Sequence, residues 1–369
     1  MIYYLLFLAV GLQLFYLGFF YSRILFIKNN RLEQYDLSTK QLVGVSVIVC
    51  AHNELENLKR LIPIILAQEY ANFELIIADD RSTDGSFEFF EKSFQSDSRV
   101  RIIRMEENTN GVNYKKYALT KAIEFSRFDI LLLTDADCLP NSKEWIRLMV
   151  SALGKDKKIV LGYSPYEFRK GWLNLLIRYE TLHTAIQYFS FALASIPYMG
   201  VGRNLLYTKE VFEKNNGFND HNKIMGGDDD LFISKAANKE NVGICIDKKA
   251  WVWSLPKENY FAWLRQKRRH LSVGKNYNFK SKVFLGLQLF SHLLYYLGLI
   301  CLFYVDYKYA LAFLMIRGLV FVVIFALIAR KLGDTYKWCW LLLPVDVVYI
   351  FNYLVIAISL AIYKRIKWN

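Results

Sequence analysis

Residues 45–50, VSVIVC, decide the fold class of this chain. The segment is apolar and β-branched without alternation, which is typical of a strand buried on both faces of a parallel sheet. Residues 51–58, AHNELENL, follow it and indicate a turn that leads into a helix. Residues 75–78 form a second strand of the same kind. Because strand, helix and strand alternate, we expect an α/β doubly wound domain.

A further apolar segment, residues 131–138 with the sequence LLLTDADC, places Asp135 and Asp137 at its C-terminal end. Two carboxylates with this spacing at a strand end can face one divalent cation. A cation held in this way is a standard means of binding a diphosphate. The alternative is a strand end with turn-forming aspartates.

Polar residues follow each of the three predicted strands. Ligands of such sheets bind beyond the carboxyl ends of the strands, so these residues are expected at one edge. Each cluster alone could be turn chemistry, as Asp84 with Gly85 plainly is. Three clusters on one edge predict a nucleotide site. The clusters are Asn53 with Glu54, Asp79 with Asp80, and Asp135 with Asp137.

In order and spacing, these segments resemble the inverting family 2 glycosyltransferases of the GT-A fold, in particular their membrane-anchored bacterial members. The resemblance extends from about residue 45 to about residue 274. It implies a Rossmann-like nucleotide-sugar-binding domain flanked by transmembrane helices. The segments that carry it are VSVIVCAHNE, IIADDRSTDGS, KYALTKAI, LLLTDADC, GGDDDL and QKRRH.

The resemblance also implies roles for individual residues. Asp135 and Asp137 match the metal-binding Asp-x-Asp motif, which implies Mg²⁺ or Mn²⁺ as cofactor. Asp228 falls at the position of the catalytic base. The residues implied to bind the donor are Ala51, Asn53, Glu54, Asp79, Asp80, Lys115 and Asp135, together with Gln266, Arg269 and His270 of a Gln-x-x-Arg-Trp motif.

Two departures from the family pattern affect these assignments. Gly227 stands where many relatives carry Glu, and because three acids follow one another, Asp229 is an alternative base. His270 replaces the tryptophan that helps processive synthases to hold a growing chain, which favours a non-processive enzyme.

Physical chemistry supports the roles of the late motifs without the family. Sugar transfer needs positive charge to neutralise the leaving diphosphate and a base for the attacking hydroxyl. The alternative for residues 226–230 is an acidic turn that caps the following helix. The alternative for the basic residues 265–270 is an anchor at the inner face of a membrane or a contact with anionic lipids.

Composition predicts membrane segments on both sides of the catalytic domain. The chain has 369 residues, of which 54% are hydrophobic and 22% charged. We expect an uncleaved anchor at residues 1–28 with its N-terminus outside, a cytoplasmic catalytic domain at 40–275, and about three segments within 283–363. The predicted location is the inner membrane of a bacterium. The candidate C-terminal segments are 283–305, 309–329 and 338–363.

The charges at the two ends of the last segment conflict with the positive-inside rule if this segment spans the membrane. The positive-inside rule places residues 330–337 inside, which leaves the basic tail 364–369 outside. We therefore expect that one segment is interfacial or re-entrant and does not span the membrane, and the candidate is the last segment, which contains Pro344 and Asp346. Alternatively, Asp346 pairs with Arg317 across helices.

The partners that we expect are a nucleotide-sugar donor, a lipid-linked or glycan acceptor, and membrane lipids, with an oligomer possible. Residues 171–198 predict a helix within the catalytic domain that either packs in the core or lies against the bilayer where an acceptor arrives. Basic residues flank the membrane segments and no nucleic-acid motif is present, so nucleic acid is excluded as a partner. The five cysteines imply no disulfides.

Two hypotheses remain. The first is an inverting, metal-dependent glycosyltransferase that extends a lipid-linked or envelope glycan. The second is a catalytically silent membrane protein that binds nucleotide sugar or assists a partner polymerase. The intact acids favour the first.

Overall fold

The computed structural model describes residues 1–27, 43–105, 112–154, 156–333 and 340–362. These residues belong to two compact units, which we call the sheet unit and the helical unit. The sheet unit covers Asn29–Glu167 and Pro197–Pro256, and the helical unit covers Met1–Lys28, Phe168–Ile196 and Lys257–Asn369.

This division differs from the expected catalytic domain at 40–275, because residues 168–196 and 257–275 group with the apolar helices. The segment boundaries 1–28, 40–275 and 283–363 stay a prediction.

Two sheets make up the sheet unit. Seven strands form the main sheet in the order β3-β2-β1-β4-β7-β6-β8, and β5 pairs with β9. The strands are β1 Val45–Ala51, β2 Phe73–Asp79, β3 Val100–Arg104, β4 Ile130–Asp135, β5 Cys138–Pro140, β6 Ile159–Gly162, β7 Leu205–Thr208, β8 Val242–Cys245 and β9 Val252–Ser254.

Twelve helices are described by these residues, besides short 3₁₀ turns and a π-helical turn. They are α1 Ile2–Phe15, α2 Leu55–Leu66, α3 Ser86–Phe94, α4 Tyr114–Phe125, α5 Trp145–Ser151, α6 Trp172–Leu193, α7 Lys209–Lys214, α8 Asp230–Ala236, α9 Tyr260–Val273, α10 Phe279–Val305, α11 Tyr307–Lys331 and α12 Leu342–Ile362.

The predicted α/β core is confirmed. Strand β1 pairs in parallel with β2 on one side and with β4 on the other, and all residues of β2 are buried. Helix α2 covers the sheet with Leu58, Leu61, Ile62 and Ile65, which follow the helical period. Sequence reasoning missed β3, an edge strand with the sequence VRIIR, in which two arginines interrupt the apolar residues and the apolar residues are only half-buried.

Helix α6 belongs to the helical unit and not to the sheet unit. Its buried positions include Leu176, Ile177, Tyr179 and Leu182, which point in different directions around the helix. Core packing therefore describes α6 better than an amphipathic face, and an acceptor route along it stays a prediction.

Within the described part of the helical unit, four helices are long and apolar enough to cross a membrane, as predicted. They are Ile2–Phe26, Phe279–Val305, Tyr307–Lys331 and Leu342–Leu360. The first is continuous from α1 through a π-helical and a 3₁₀ turn. The charges Lys28 and Arg31, residues 334–339 with Cys339, and the tail 364–369 lie outside the described residues.

The last apolar helix contains no re-entrant break. Helix α12 is continuous, because Pro344 lies in its first turn, where its missing N–H costs no helical hydrogen bond. Asp346 pairs with Arg317 of α11 at 2.8 Å, as the alternative interpretation required. Both side chains are buried, and Asp346 also accepts hydrogen bonds from the hydroxyls of Tyr179 and Tyr296. This pairing explains how a carboxylate is accommodated between apolar helices.

We expect Asp346→Leu to destabilise the helical unit by about 3–5 kcal/mol, because it leaves the Arg317 guanidinium buried without its counter-charge. Thermal unfolding in detergent would measure the change. The double variant Arg317→Met with Asp346→Leu should recover part of this loss. A double variant with the summed loss of both single variants would contradict a direct pairing.

Candidate active site

The three central strands end at the same edge of the sheet, as the sequence predicted. In the parallel register, Ala51 of β1 lies opposite Asp79 of β2, and Cys50 lies opposite Asp135 of β4. The backbone N–H of Asp80 donates to the carbonyl of Ala51 at 2.7 Å. The residues that follow β1, β2 and β4 therefore lie near one another at this edge.

The turn after β1 is bound to the turn after β2. Asn53 adopts a left-handed φ of 56°, a conformation that asparagine tolerates. Its backbone N–H donates to the Ser82 hydroxyl at 2.9 Å, and its side-chain oxygen accepts from the N–H of Thr83 at 2.8 Å. These bonds orient the edge on which a nucleotide would lie.

Asp79 carries a buried oxygen that is not satisfied. One carboxylate oxygen accepts from the N–H of Ser82 at 3.2 Å. The other, Oδ1, is buried and has no hydrogen-bond partner among the residues that the structure describes. Asp80 instead pairs with Arg81 at 2.9 Å, and Glu54 accepts from Asn57. The Oδ1 atom of Asp79 can therefore accept a hydrogen bond from a ligand.

Lys115 connects the metal motif to the late acidic motif. Its ammonium lies 3.0 Å from Asp135 and 2.9 Å from Asp228. Burial acts to lower the pKa of Lys115, but the charges of Asp135 and Asp228 outweigh it and raise the pKa well above its ordinary value. Two acids that stand far apart in the sequence therefore meet at one cation.

The next residue, Lys116, has a structural position. It is fully buried, and its ammonium donates to the carbonyls of His221 at 2.6 Å and Ile224 at 2.9 Å. Burial lowers the pKa of Lys116 to about 8. The lysine holds the loop that precedes Asp228 against α4.

Asp228 and Asp229 have different partners. Burial acts to raise the pKa of Asp228, yet Lys115 more than compensates and the pKa is lowered, so the carboxylate is ionised at neutral pH. Asp229 caps α8 by accepting from the N–H of Asp230 at 2.8 Å, and it also accepts from the N–H of Gly202 at 2.8 Å. Burial and the charge of Asp228 raise the pKa of Asp229.

The backbone of the two glycines before these acids explains why position 227 carries glycine and not the glutamate of many relatives. Gly226 and Gly227 have φ values of 80° and 79°, which side-chain-bearing residues rarely adopt. A Cβ on Gly227 would also lie 2.7 Å from the Leu231 side chain. A glutamate at position 227 would therefore be strained in this turn.

Asp135, Asp137 and Cys138 form a candidate metal site in which one ligand atom of each lies within 4.8 Å of the others. Burial, followed by the charges of Asp137 and Asp135, raises the pKa of Cys138 well above its usual value, so its sulfur is a neutral thiol. The thiol donates to Asp137 at 3.4 Å. Asp135 and Asp137 each offer a carboxylate oxygen to this site, and carboxylate oxygens are ligands that Mg²⁺ and Mn²⁺ prefer.

The predicted residues Gln266, Arg269 and His270 lie on α9 of the helical unit. Their role at the donor stays a prediction.

Residues 46–215 match the family model described as Glycosyl transferase family 2. The chain carries a family 2 glycosyltransferase domain. The family model ends before Asp228, so the assignment of the base stays a prediction.

The glycosyltransferase domain has curated bacterial relatives. It is 30% identical over 128 residues to Glycosyltransferase GlyG of Streptococcus pneumoniae, an alignment that covers 34% of this chain and 41% of the relative. It is 31% identical over 78 residues to the putative teichuronic acid biosynthesis glycosyltransferase TuaG of Bacillus subtilis, covering 21% and 31%. The chain thus matches less than half the length of these relatives.

The whole chain resembles a solved structure, the mannosyltransferase PcManGT from Pyrobaculum calidifontis in complex with GDP-Man and Mn²⁺. The TM-score is 0.63 at 18% identity, and the match covers 99% of this chain and 98% of the other. This likeness confirms the predicted GT-A fold with its apolar helices.

Sequence reasoning missed one segment of the glycosyltransferase domain, the 3₁₀ turn Gly202–Asn204 that binds Asp229. The side chain of Asn204 is fully buried and bonds the indole of Trp145 and the carbonyls of Tyr163 and Ala250. The only local signal is the pair of glycines in MGVGRN at residues 199–204.

Proposed function

We propose that this protein transfers a sugar, with inversion, from a nucleotide-sugar donor to a lipid-linked or envelope glycan acceptor at the cytoplasmic face of a bacterial membrane. The observation that carries the proposal is the position of Lys115 between Asp135 and Asp228. Through Lys115, Asp135, which we expect to face the leaving diphosphate, lies near Asp228, which we expect to activate the acceptor.

In this proposal Asp228 is the general base. An ionised carboxylate can accept the proton of an acceptor hydroxyl as that oxygen attacks the anomeric carbon. Its lowered pKa keeps it in the required form at neutral pH. A single attack from the face opposite the leaving group inverts the anomeric configuration. Asp229 holds the turn beside the base through its bonds to backbone N–H groups.

Asp135 and Asp137 would hold Mg²⁺ or Mn²⁺, which would neutralise the negative charge of the departing nucleoside diphosphate. Lys115 contributes a second positive charge at Asp135. The bound cation and the Lys115 ammonium would together provide positive charge for two or more phosphate oxygens.

The donor's nucleoside would lie over the turns after β1 and β2. The Oδ1 atom of Asp79 is buried and has no partner among the described residues, so a ligand that donates a hydrogen bond there would remove the cost of an unsatisfied carboxylate oxygen. A ring N–H of a nucleobase is a donor of this kind. The remaining predicted donor residues, Ala51, Asn53, Glu54 and Asp80, line the same edge through their turns.

Four apolar helices support a multi-pass membrane protein. Nucleotide sugars are made in the cytoplasm, so we place the catalytic domain there, in the inner membrane of a bacterium. A protein held in this way meets acceptors that are themselves anchored in lipid.

Turnover of a panel of nucleotide sugars by the purified full-length protein, in detergent with Mg²⁺ or Mn²⁺, tests this function. The expected result is metal-dependent release of one nucleoside diphosphate from one or two donors. Donor binding without release or transfer to any lipid-linked acceptor would instead favour the catalytically silent protein.

We predict a non-processive enzyme that adds one or a few sugars. A polymer-secreting synthase needs a polar channel through the bilayer, and the described apolar helices are rich in Leu, Ile, Val and Phe. His270 in place of tryptophan indicates the same. Product sizing from reconstituted vesicles measures chain length, and long polymer in the lumen made by this protein alone would contradict the prediction.

A further inference from the structure

Arg203 lies at the junction of the metal motif and the base motif. The antiparallel pairing of β4 with β7 ends with Leu133 opposite Leu205. Asp135 comes two residues after Leu133, and Arg203 comes two residues before Leu205. Because the strands are antiparallel, both residues lie at the same edge of the sheet. Gly202, directly before the arginine, lies against the acids of the base motif: a Cβ there would be 3.8 Å from the carboxylate of Asp228.

Both neighbours of Arg203 are held firmly. The N–H of Gly202 donates to Asp229, and the side chain of Asn204 makes three buried hydrogen bonds. The guanidinium itself stacks over the ring of Tyr166, with 4.7 Å between the guanidinium carbon and the ring centroid. This packing fixes the direction of the arginine before any ligand arrives.

The guanidinium has an unused donor. Its Nη1 atom is buried and has no hydrogen-bond partner within the described ranges. Burial acts to lower the pKa of Arg203, but interactions with Tyr166 first, and then with Cys138, Asp135 and Asp137, raise it above its ordinary value. A buried N–H group of a cation that lacks a partner among the described residues is costly unless a ligand completes its bonding.

We propose that Arg203 is a substrate-binding residue that donates hydrogen bonds to a phosphate oxygen of the donor's diphosphate. The inference rests on the proposed function. A planar guanidinium suits this ligand because two of its N–H groups can meet two oxygens at once. Because Arg203 lies beside Asp135, we expect it to contact the phosphates of the donor and not its nucleobase, which would lie toward β1 and β2.

The test compares binding of UDP, UMP, GDP and GMP to the full-length protein in detergent, with Mn²⁺ present, by calorimetry. In wild type the diphosphate should bind more tightly than the monophosphate of the same base. Arg203→Met should weaken diphosphate binding by about 10- to 100-fold and leave monophosphate binding within a few-fold, so the ratio of the two affinities falls. Arg203→Lys should give a ratio between those of wild type and Arg203→Met, because lysine keeps the positive charge but lacks the paired N–H donors of a guanidinium.

A matched control is Arg127→Met, which removes an arginine with a largely exposed side chain from just before β4, at the opposite edge of the sheet. It should leave the ratio unchanged. Thermal unfolding of each variant separates a loss of folding from a loss of binding. An unchanged ratio in a folded Arg203→Met protein overturns the proposal, as does a variant whose only defect is a raised KM for the acceptor. Failure of wild type to bind any of the four nucleotides would contradict the proposed function itself.

Discussion

Asp228→Asn is expected to lower the rate of sugar transfer by about 10²- to 10⁴-fold while nucleotide binding stays near the wild-type value. An asparagine keeps the size of the side chain but cannot accept the proton of the acceptor hydroxyl, and general bases typically contribute a factor of this order. The measurement is initial transfer rate at saturating donor, together with the dissociation constant of the nucleoside diphosphate. Binding reports on the donor site and the rate reports on the base, so the two readouts separate a catalytic defect from a binding defect.

The neighbouring acid supplies the control. Asp229→Asn keeps an oxygen that can accept from the N–H of Gly202 or Asp230, so we expect a smaller loss of rate. If Asp229→Asn abolishes transfer while Asp228→Asn stays active, the catalytic base is Asp229 and not Asp228. Burial and the charge of Asp228 raise the pKa of Asp229, and a carboxylate with a higher pKa accepts a proton more readily. The two variants therefore distinguish between these two candidate bases.

Asp137→Asn is expected to abolish metal-dependent transfer, a loss of about 10³-fold or more, because a cation at a diphosphate contributes several kcal/mol to the transition state. Mn²⁺ binding, followed by calorimetry without nucleotide, gives a second readout that does not depend on turnover. Nucleoside diphosphate binding should also lose its sensitivity to Mn²⁺.

A suitable control for this variant is Asp97→Asn. Asp97 is a carboxylate that pairs with Arg99 at 2.8 Å in the turn before β3, away from the strand ends that carry the site. It should keep wild-type turnover and metal response. Wild-type turnover in the Asp137→Asn protein would contradict the assignment of the metal site to Asp135 and Asp137.

Local sequence was sufficient to predict several features of this protein. The β-branched, non-alternating segments predicted β1, β2 and β4, because a strand buried on both faces has no polar side to present. The four apolar helices followed from length and composition. The edge strand β3 was missed, since Arg101 and Arg104 interrupt its apolar pattern and its residues are only half-buried.

The pairing of Asp346 with Arg317 shows the limit of such reasoning in the apolar helices. The residues themselves allowed either a re-entrant segment or an ion pair. Only the packing of α11 against α12, which places the two groups 2.8 Å apart, selected the ion pair.

The sequence by itself determined which residue types stand at the candidate site: carboxylates after three strands and an acidic motif after two glycines. It also determined the helices that are apolar enough to cross a membrane. Tertiary structure decided how they are used. Asp228 and Asp229 are identical in local pattern, and they differ because Asp228 meets Lys115 while Asp229 caps a helix and binds Gly202. Those contacts join residues far apart in the chain. They depend on the register of β1, β4 and β7, which no local propensity encodes.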